Sequence, residues 1–436
     1  MASLLLHCER IINGKGLLKV SIQSSSILQQ KRLSSLPFDG IKVIDMSRVL
    51  AAPYATMNLA DLGAHVIKIE KPFVGDETRR WGPPFICESL SSYFACCNRN
   101  KKSIAIDHST KKGQEIIVNL LSQADVFVEN FKPGSLDKYG LNYEKISKIN
   151  DKLVYASLSG YGKDGPFANQ GAYDLTISAE GGLMGITGNK NEDPVKVGVA
   201  ITDVCSGLYL AFSIIAALYQ RNFTQVGQKI DVSLFSTQLS VLVNVASNYL
   251  NSGIIAQASG SSHPSIVPYQ GFKTLDSNIV VAANNDLQFH ELGEALGWPW
   301  LSSNPMFATN EFRVDNREEL IRHLNERFAE ETSNYWIEKA KTYSFSITPV
   351  NDIHQAFQHP QAIHSEIVKT AYNDFIDANI KMVGHPVKYD NMDPGKYNAP
   401  PILGQHTYEI LLSSGYMKDD IFQLEKEKVI QIAKKP

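Results

Sequence analysis

The sequence predicts an α/β protein whose larger part is a Rossmann-like domain, with a parallel sheet covered by helices on both faces. From residue 38 onward, short apolar runs alternate with helical stretches of about 10 residues. A hydrophobic content of 43% with 20% charged residues is typical of a globular chain. The length of 436 residues allows two or three domains.

The elements of this larger domain follow in a regular order. They are strand 41–46, helix 53–63, strand 65–71, strand 103–107, helix 111–124, strand 125–131, helix 143–149 and strand 153–160. Pro53 suits a first helical turn and Gly63 suits a helix end. Strands joined by helices form right-handed βαβ units, which requires a parallel sheet. Residues 47–53, the first turn after a strand, contain no glycine, which disfavours an enzyme that binds NAD or FAD.

The remainder of the chain is less regular. A glycine-rich segment, 159–174, precedes a helix-like run, 175–188, and a strand at 228–236 leads into a helical stretch that ends at Leu250. The apolar run 207–219 is shorter than the ~20 residues that a bilayer requires and is predicted to be a buried helix. We expect a large domain over 38–258, a smaller α/β domain over 259–370, and a return to the large domain over 371–436.

The first 37 residues differ from the rest in composition. They contain five basic residues, seven serines and a single acid, Glu9. This is typical of a mitochondrial presequence, and a disordered tail is the alternative. Its removal would change the formal net charge from −3 to −7. We therefore expect a mitochondrial matrix protein.

Charge and motifs exclude several classes of function. Lys+Arg 42 against Asp+Glu 45 gives no cationic field for nucleic acid or an anionic membrane. The five cysteines have no CxxC pair and no metal-ligand spacing, so we expect a reducing compartment and no metal site. The sequence lacks GxSxG, HExxH and Walker motifs, which leaves serine hydrolases, zincins and P-loop enzymes without support.

Two aspartates beside flexible backbone are candidates for chemistry. Asp203 precedes the long apolar run, and Asp174 precedes the run 175–188. Either side chain could cap the helix that follows it. Alternatively, Asp203 could be an ionised carboxylate that acts as a nucleophile at the edge of a site.

Several segments together resemble one protein family. In order, they are RVLAAPYATMNLADLGAHVIKIEKP, TRRWGPPF, NRNKKSIAID, DVFVENFKPG, SGYGKDGPFANQGAYD, GLMGITG and GVAITDVCSGLY. They are similar to the class III coenzyme A transferases over residues 38–412. TRRWGPPF, NRNKKSIAID, SIVPYQGFKT and LGQHT most resemble the mitochondrial members that transfer CoA from succinyl-CoA to glutarate. AAP and AYD stand where many members have AGP and GYD, which affects local turn geometry.

The resemblance implies a fold, a reaction and an assembly. It implies a Rossmann-like domain with a smaller domain, in an interlocked homodimer that transfers CoA to a dicarboxylic acid such as glutarate or 3-hydroxy-3-methylglutarate. Asp203 matches the family nucleophile, which forms an acyl anhydride and then a CoA thioester. A carboxylate with an ordinary pKa of ~3.9 is ionised at neutral pH and needs no general base. Acyl-CoA and the acid are substrates, and no cofactor or metal is called for.

The resemblance also implies which residues bind the substrates. The positions matched to CoA contacts are Val49, Leu50, Ala51, Lys71, Asn130, Phe131, Lys138 and Asp174. Arg48 and Arg99 are candidates for the distal carboxylate, because a guanidinium pairs with it bidentately. His263 is expected to orient substrate or to cap a turn. Backbone N–H groups of the Gly/Ser-rich loop 259–265 are candidate oxyanion donors.

Two alternatives remain open at this point. A racemase of 2-methylacyl-CoA with the same fold needs two bases, and Tyr173-Asp174 stands where the racemase pattern has His-Asp. An unactivated tyrosine, with a pKa of ~10, is a poor base at neutral pH. The other alternative is a CoA-binding protein without catalytic activity.

Overall fold

A computed structural model describes residues 36–87, 90–390 and 397–435. The proposed presequence, apart from its last two residues, lies outside the described residues. Fourteen strands occur in the described part of the chain. They are β1 (Lys42–Asp45), β2 (His65–Glu70), β3 (Phe85–Cys87), β4 (Leu90–Ser91), β5 (Lys101–Ile106), β6 (Val126–Glu129), β7 (Val154–Ser159), β8 (Lys229–Ser233), β9 (Tyr269–Lys273), β10 (Asn278–Ala282), β11 (Ser346–Pro349), β12 (Val368–Asn373), β13 (Ala378–Val383) and β14 (Ile430–Gln431).

Seventeen α-helices occur within the same described ranges. They are α1 (Ala51–Asp61), α2 (Ser92–Ala95), α3 (Lys111–Leu121), α4 (Tyr143–Ile149), α5 (Asp174–Glu180), α6 (Ile201–Thr224), α7 (Leu234–Ser240), α8 (Val243–Ser252), α9 (Asp286–Ala295), α10 (Trp300–Ser303), α11 (Asn310–Asp315), α12 (Arg317–Phe328), α13 (Ser333–Ala340), α14 (Ile353–Gln358), α15 (Pro360–His364), α16 (Thr407–Ser413) and α17 (Lys418–Lys426).

The main sheet has seven strands in the order β14-β5-β2-β1-β6-β7-β8. All pairs are parallel except β14 with β5, which is antiparallel. The parallel sheet predicted from the alternating pattern is therefore confirmed. The antiparallel edge strand β14 comes from the C-terminal segment, so this segment does lie against the large domain.

Both faces of the sheet are buried. Consecutive residues of β1, Val43 and Ile44, belong to two separate hydrophobic cores, as successive strand residues must when they point to opposite faces. One core includes residues of α3, α16 and α17, and the other includes residues of α1, α6 and α7. The helices therefore cover both faces, as in a doubly wound α/β fold.

Helix α6 is longer and less buried than the sequence analysis predicts. Its 24 residues make it the one helix in the described ranges that is long and apolar enough to cross a membrane. One face packs into the core through residues such as Leu210 and Ile214. The other face exposes large apolar side chains, including Phe212, Tyr219 and Phe223. The prediction of a buried helix is therefore right for one face only.

The smaller domain has its own core and its own sheet. The strands β11-β10-β9 form an antiparallel sheet. Side chains from α9, α12 and α13, including Phe289, Leu320 and Trp336, pack with it. The hairpin β12-β13 crosses the boundary proposed at 370/371, and its Ala371, Ile380 and Met382 pack with Leu90 and Phe94 of the large domain.

Candidate active site

A cleft with a cavity volume of about 210 Å³ lies at the carboxyl ends of β1, β6 and β7. In the sheet, β1 lies between β2 and β6, so the order of strands along the sheet reverses between β1 and β6. Such a switch point is where α/β sheets leave a crevice for ligands. The cleft lining includes eight residues that the sequence singles out, namely Arg48, Val49, Leu50, Ala51, Asn130, Phe131, Tyr173 and Asp203.

The loop after β1 and the loop after β6 form one wall of the cleft, and the side-chain amide of Asn130 joins them. The N–H of Arg48 donates to Asn130 Oδ1 at 2.8 Å, and Asn130 Nδ2 donates to the Arg48 carbonyl at 2.7 Å. The guanidinium of Arg48 lies 4.9 Å from the centre of the Phe131 ring. The N–H of Phe131 donates to the buried Glu129, whose pKa burial raises to about 7. Asn130 therefore lines the cleft and also holds the backbone of the loop at Arg48 in place.

Asp203 lies in the first turn of α6 and does not cap it. The residue before the helix, Ala200, provides no side-chain cap. Instead, Asp174 Oδ1 accepts the N–H groups of Thr202 at 2.9 Å and Asp203 at 3.2 Å. The interpretation of Asp203 as an N-cap is therefore wrong. Asp174 is a cap, but it caps α6 rather than α5, of which it is the first residue.

The surroundings of Asp203 change its ionisation. Burial, followed by the negative charge of Asp174, raises the pKa of Asp203 to about 7. No described residue donates a hydrogen bond to its carboxylate. The expectation of a fully ionised carboxylate at neutral pH is corrected accordingly, because the raised pKa leaves part of these groups protonated near pH 7.

Tyr93 of α2 lies near the two aspartates. Burial, followed by the charge of Asp203, raises the pKa of Tyr93 to about 12, so its phenol remains protonated and able to donate. The ring packs edge-on against Trp81 at 5.0 Å. The sequence does not indicate a role for Tyr93, because a single tyrosine in a short element gives no periodic or motif signal.

Lys71 and Lys138 lie beside the cleft and do not line it. Both are close to His108, whose ring meets Tyr139 edge-on at 4.9 Å and Phe131 at 6.1 Å. Burial lowers the pKa of His108, and Lys71, Arg48 and Lys138 lower it further against the opposing charge of Asp107. The structure thus brings three cations to one aromatic cluster at the edge of the cleft. No motif in the sequence indicates that His108 belongs to this cluster.

Arg99 and His263 lie away from the residues that line the cleft. Arg99 is 5% exposed and donates to both carboxylate oxygens of Asp61, at 3.0 and 2.5 Å. His263 accepts the N–H of Ser265 at 3.1 Å and stacks on Tyr269 at 5.5 Å. Arg99 therefore forms a buried ion pair with Asp61. His263 accepts a backbone N–H two residues later, as a residue that caps a turn does.

The Gly/Ser-rich loop uses several of its N–H groups within the fold. Gly260 donates to the Gly188 carbonyl at 2.8 Å, and His263 donates to the Tyr269 carbonyl at 2.9 Å. These two groups are not available as oxyanion donors in this structure. Among the described residues, no group of three or more His, Cys, Asp or Glu side chains lies together as metal ligands do. That the reaction needs no metal stays a prediction.

Comparisons with known proteins agree with this arrangement. The family model of CoA-transferase family III matches residues 38–407. Human succinyl-CoA:glutarate CoA-transferase is 44% identical over 375 residues, which are 86% of this chain and 85% of the relative. Succinate–glutarate CoA-transferase of Agrobacterium fabrum is 37% identical over 381 residues, which are 86% and 95% of the two chains.

A solved structure supports the same assignment. The crystal structure of a CAIB/BAIF family protein from Brucella suis superimposes with a TM-score of 0.80 at 39% identity, over 87% of this chain and 100% of that chain. The chain has the fold of these enzymes and is a CoA-transferase. It belongs to CoA-transferase family III.

Proposed function

We propose that the enzyme moves CoA from succinyl-CoA to a dicarboxylic acid, glutarate or 3-hydroxy-3-methylglutarate, with Asp203 as the nucleophile. The observation that carries the proposal is the Asp203 carboxyl group, which lines the cleft and accepts no hydrogen bond from a described residue. Its backbone is held by Asp174, which leaves the side chain free to react. Relatives in mammals and in a bacterium bear names that pair succinate or succinyl-CoA with glutarate.

The reaction begins with attack on the thioester. A carboxylate oxygen of Asp203 attacks the carbonyl carbon of succinyl-CoA, the C–S bond breaks, and CoA leaves as a thiolate. The product is a mixed anhydride of Asp203 and succinate. The thiolate then attacks the Asp203 carbonyl of the anhydride, which releases succinate and leaves CoA on Asp203 as a thioester.

The second half repeats these steps with the acceptor acid. The acceptor carboxylate attacks the Asp203 thioester and expels the CoA thiolate, which forms a second anhydride. The thiolate attacks the acyl carbonyl of the acceptor, so the new acyl-CoA leaves and Asp203 is again a carboxylate. Each intermediate hydrolyses readily, so water must be excluded during the cycle. The protonated phenol of Tyr93 is a donor near the negative charge that develops beside Asp203.

The CoA phosphates are assigned to the edge of the cleft. Lys71, Lys138 and Arg48 meet there around His108 and Phe131. The buried Nε of Arg48 has no partner, so this arginine has a donor left for a phosphate or a carboxylate. Of the two arginines considered for the distal carboxylate, Arg48 lines the cleft and pairs with the partly exposed Glu77 at 2.6 Å, whereas Arg99 is buried in its pair with Asp61.

The racemase alternative receives no support from the geometry. Asp174 uses its carboxylate to cap α6, and Tyr173 exposes 67% of its surface. A base must reach the proton that it removes, and this pair lacks the arrangement of two opposed bases. A CoA-binding protein without activity is the remaining alternative, and it would not need a reactive carboxyl group at Asp203.

Two further parts of the proposal concern assembly and location. We assign the exposed apolar side chains of α6 and α8, among them Phe212, Phe223 and Leu250, to contact with a second copy in an interlocked homodimer. Such a patch is typical of a protein interface. We assign the enzyme to the mitochondrial matrix from the composition of residues 1–37. Microscopy of a fluorescent fusion with and without these residues tests the assignment, which a cytosolic full-length fusion would contradict.

The activity is tested by chromatography of CoA esters. Purified enzyme with succinyl-CoA is offered glutarate, 3-hydroxy-3-methylglutarate, malate, oxalate or formate. We expect acyl transfer to glutarate or 3-hydroxy-3-methylglutarate and little to formate, which lacks a second carboxylate. Hydrolysis alone with every acid would contradict the proposal.

The nucleophile is tested by mass spectrometry. With succinyl-CoA alone, hydroxylamine should trap a covalent adduct on the peptide that contains Asp203. Asp203→Asn should form no adduct and show no turnover, because an amide cannot form the anhydride. The variant should still fold, since Asp203 caps no helix. Near-normal turnover of Asp203→Asn would rule out this residue as the nucleophile.

A further inference from the structure

The wall of the cleft contains a residue with an unfavourable backbone conformation. Val49 has φ 69°, in the left-handed region. A β-branched residue with positive φ is an outlier, because its Cβ crowds the following carbonyl. Such a conformation persists only where the surrounding structure holds it, and it is frequent at functional sites.

A buried ion pair holds this conformation. The N–H of Val49 donates to the Asp76 carboxylate, at 3.3 Å to one oxygen and 3.2 Å to the other. Lys68 Nζ lies 3.0 Å from Asp76 and donates to the Ser47 carbonyl at 2.7 Å. The side chains of Lys68 and Asp76 are both 0% exposed. The pair therefore contacts the backbone on both sides of Arg48.

Asp76 also joins this loop to a second one. Its Oδ1 accepts the N–H of Thr78 at 3.0 Å and the Thr78 hydroxyl at 2.8 Å, which caps the short 3₁₀ helix Glu77–Arg80. Glu70 accepts the N–H of Asp76 at 3.1 Å. One carboxylate thus fixes two segments of the chain relative to each other.

The position of Val49 affects the surroundings of Asp203. Val49, Leu50 and Ala51 line the same cleft as Asp203. The Ala51 carbonyl lies so close to Gly207, one turn after Asp203 in α6, that a Cβ there would be 2.4 Å from it. A shift at Val49 therefore changes the wall that faces the nucleophile.

We propose that Asp76, supported by Lys68, is a positioning residue that holds Val49 in the left-handed conformation and thereby shapes the cleft wall for acyl-CoA. The inference rests on the proposed function in taking the ligand of this wall to be a CoA ester. Asp76 does not line the cleft and need not touch substrate.

The test is a double-mutant cycle between positions 76 and 49, read by calorimetric binding of CoA and by KM for succinyl-CoA. Asp76→Asn should weaken CoA binding about 10-fold and raise KM for succinyl-CoA to match, with little change in KM for glutarate. Val49→Gly alone removes a side chain that lines the cleft, so its own CoA affinity is the reference for the double variant; glycine adopts positive φ without strain. In the Asp76→Asn background, Val49→Gly should restore binding, whereas Val49→Ala should not.

A matched control breaks another buried ion pair. Asp61→Asn removes the partner of Arg99 outside the cleft and should lower the melting temperature while CoA affinity stays unchanged. Wild-type affinity in Asp76→Asn, or equal rescue by Val49→Ala, overturns the inference. If Asp76→Asn alone does not fold, the double variant with Val49→Gly must fold, and its failure also overturns the inference. Wild-type enzyme that binds no CoA refutes the proposed function instead.

Discussion

At the scale of single residues, the proposed chemistry depends on two carboxyl groups that share one helix end. Asp174 holds the first turn of α6, and its charge together with burial raises the pKa of Asp203 to about 7. A protonated Asp203 cannot attack a thioester, but an ionised one with a raised pKa is a stronger nucleophile than an ordinary carboxylate. The site therefore combines a reactive group with a sensitivity to pH near neutrality.

The first prediction concerns the pH dependence of the reaction. If the ionised form of Asp203 is the nucleophile, as proposed, kcat/KM for succinyl-CoA should rise with pH through about 7 and then level off. Initial rates between about pH 5.5 and 8.5 measure this profile, with enzyme stability checked at each pH. A profile that is flat across this range would contradict the raised pKa.

The same pKa has a consequence for stability. The pKa of Asp203 is higher in the folded state than in the unfolded chain, so ionisation of Asp203 destabilises the folded state. The free energy of unfolding therefore falls as pH rises toward about 7. Asp203→Asn should therefore raise the melting temperature more at pH 8 than at about pH 5. Thermal denaturation of both proteins at the two pH values measures the difference, and an equal effect at both would argue against it.

A further prediction separates the roles of the two aspartates. Asp174→Asn removes a neighbouring negative charge, so the pH profile should move to lower pH. Asn remains a good helix cap, so the fold should survive. The covalent adduct should still form on Asp203, at a reduced rate. An adduct on residue 174 of the wild-type enzyme would reverse the assignment.

At the scale of elements, the site depends on the close contact of α1 and α6. Gly207 allows the contact, because a side chain there would meet the Ala51 carbonyl. The start of α1 carries the loop that lines the cleft, and α6 carries Asp203. The spacing of these two helices thus sets the width of the cleft beside the nucleophile.

Gly207→Ala should therefore reduce both stability and activity. The added Cβ would lie 2.4 Å from a backbone oxygen, and overpacking of this kind costs about 1 to 3 kcal/mol. Denaturant unfolding and steady-state kinetics measure the two effects. Gly185→Ala is the control, since a Cβ there meets nothing within 4 Å, and it should match wild type. Equal behaviour of both variants would exclude the close contact.

The cation cluster at the cleft edge gives a prediction on substrate binding. Lys71→Ala or Lys138→Ala removes a proposed partner of the CoA phosphates, and a charge-assisted hydrogen bond contributes ~1.5 to 3 kcal/mol. KM for succinyl-CoA should rise about 10-fold or more, while KM for glutarate should hardly change. Lys112→Ala, which loses a surface ion pair with Glu427, serves as the control. A rise in KM for glutarate instead would place CoA elsewhere.

At the scale of the whole molecule, the exposed apolar surface of α6 and α8 is the part that we propose a second copy covers. Phe212 is 69% exposed and Leu250 is 78% exposed. Burial of such side chains contributes about 1.5 to 3 kcal/mol each, so a second copy would gain stability there.

We expect light scattering to give about twice the mass of one chain. Because interlocked chains cannot separate while folded, dilution should not dissociate the dimer, and dissociation should coincide with unfolding. A monomer at all concentrations would contradict the dimer. A folded monomer released by dilution would contradict the interlocking.

Local sequence patterns were enough to predict the main sheet and most of its helices. Helix α4 has the predicted bounds, 143–149; β2 is one residue shorter than predicted at one end, and β7 is one residue shorter at each end. Periodicity and turn residues act between near neighbours, so a single sequence contains this information. The resemblance identified Asp203 and the loop residues 48–51 and 130–131, which the fold brings into one cleft.

Local sequence patterns could not predict the contacts between distant parts of the chain. Asp174 caps a helix that begins 27 positions later, Arg99 pairs with Asp61, and Asp76 holds the backbone of Val49. The pKa of Asp203 depends on burial and on the charge of Asp174, and neither is a property of the segment 198–207. Sequence pattern thus predicted the elements, and the resemblance pointed to Asp203, whereas electrostatics and backbone strain at the site arise only when the folded chain brings charged groups together and excludes water from them.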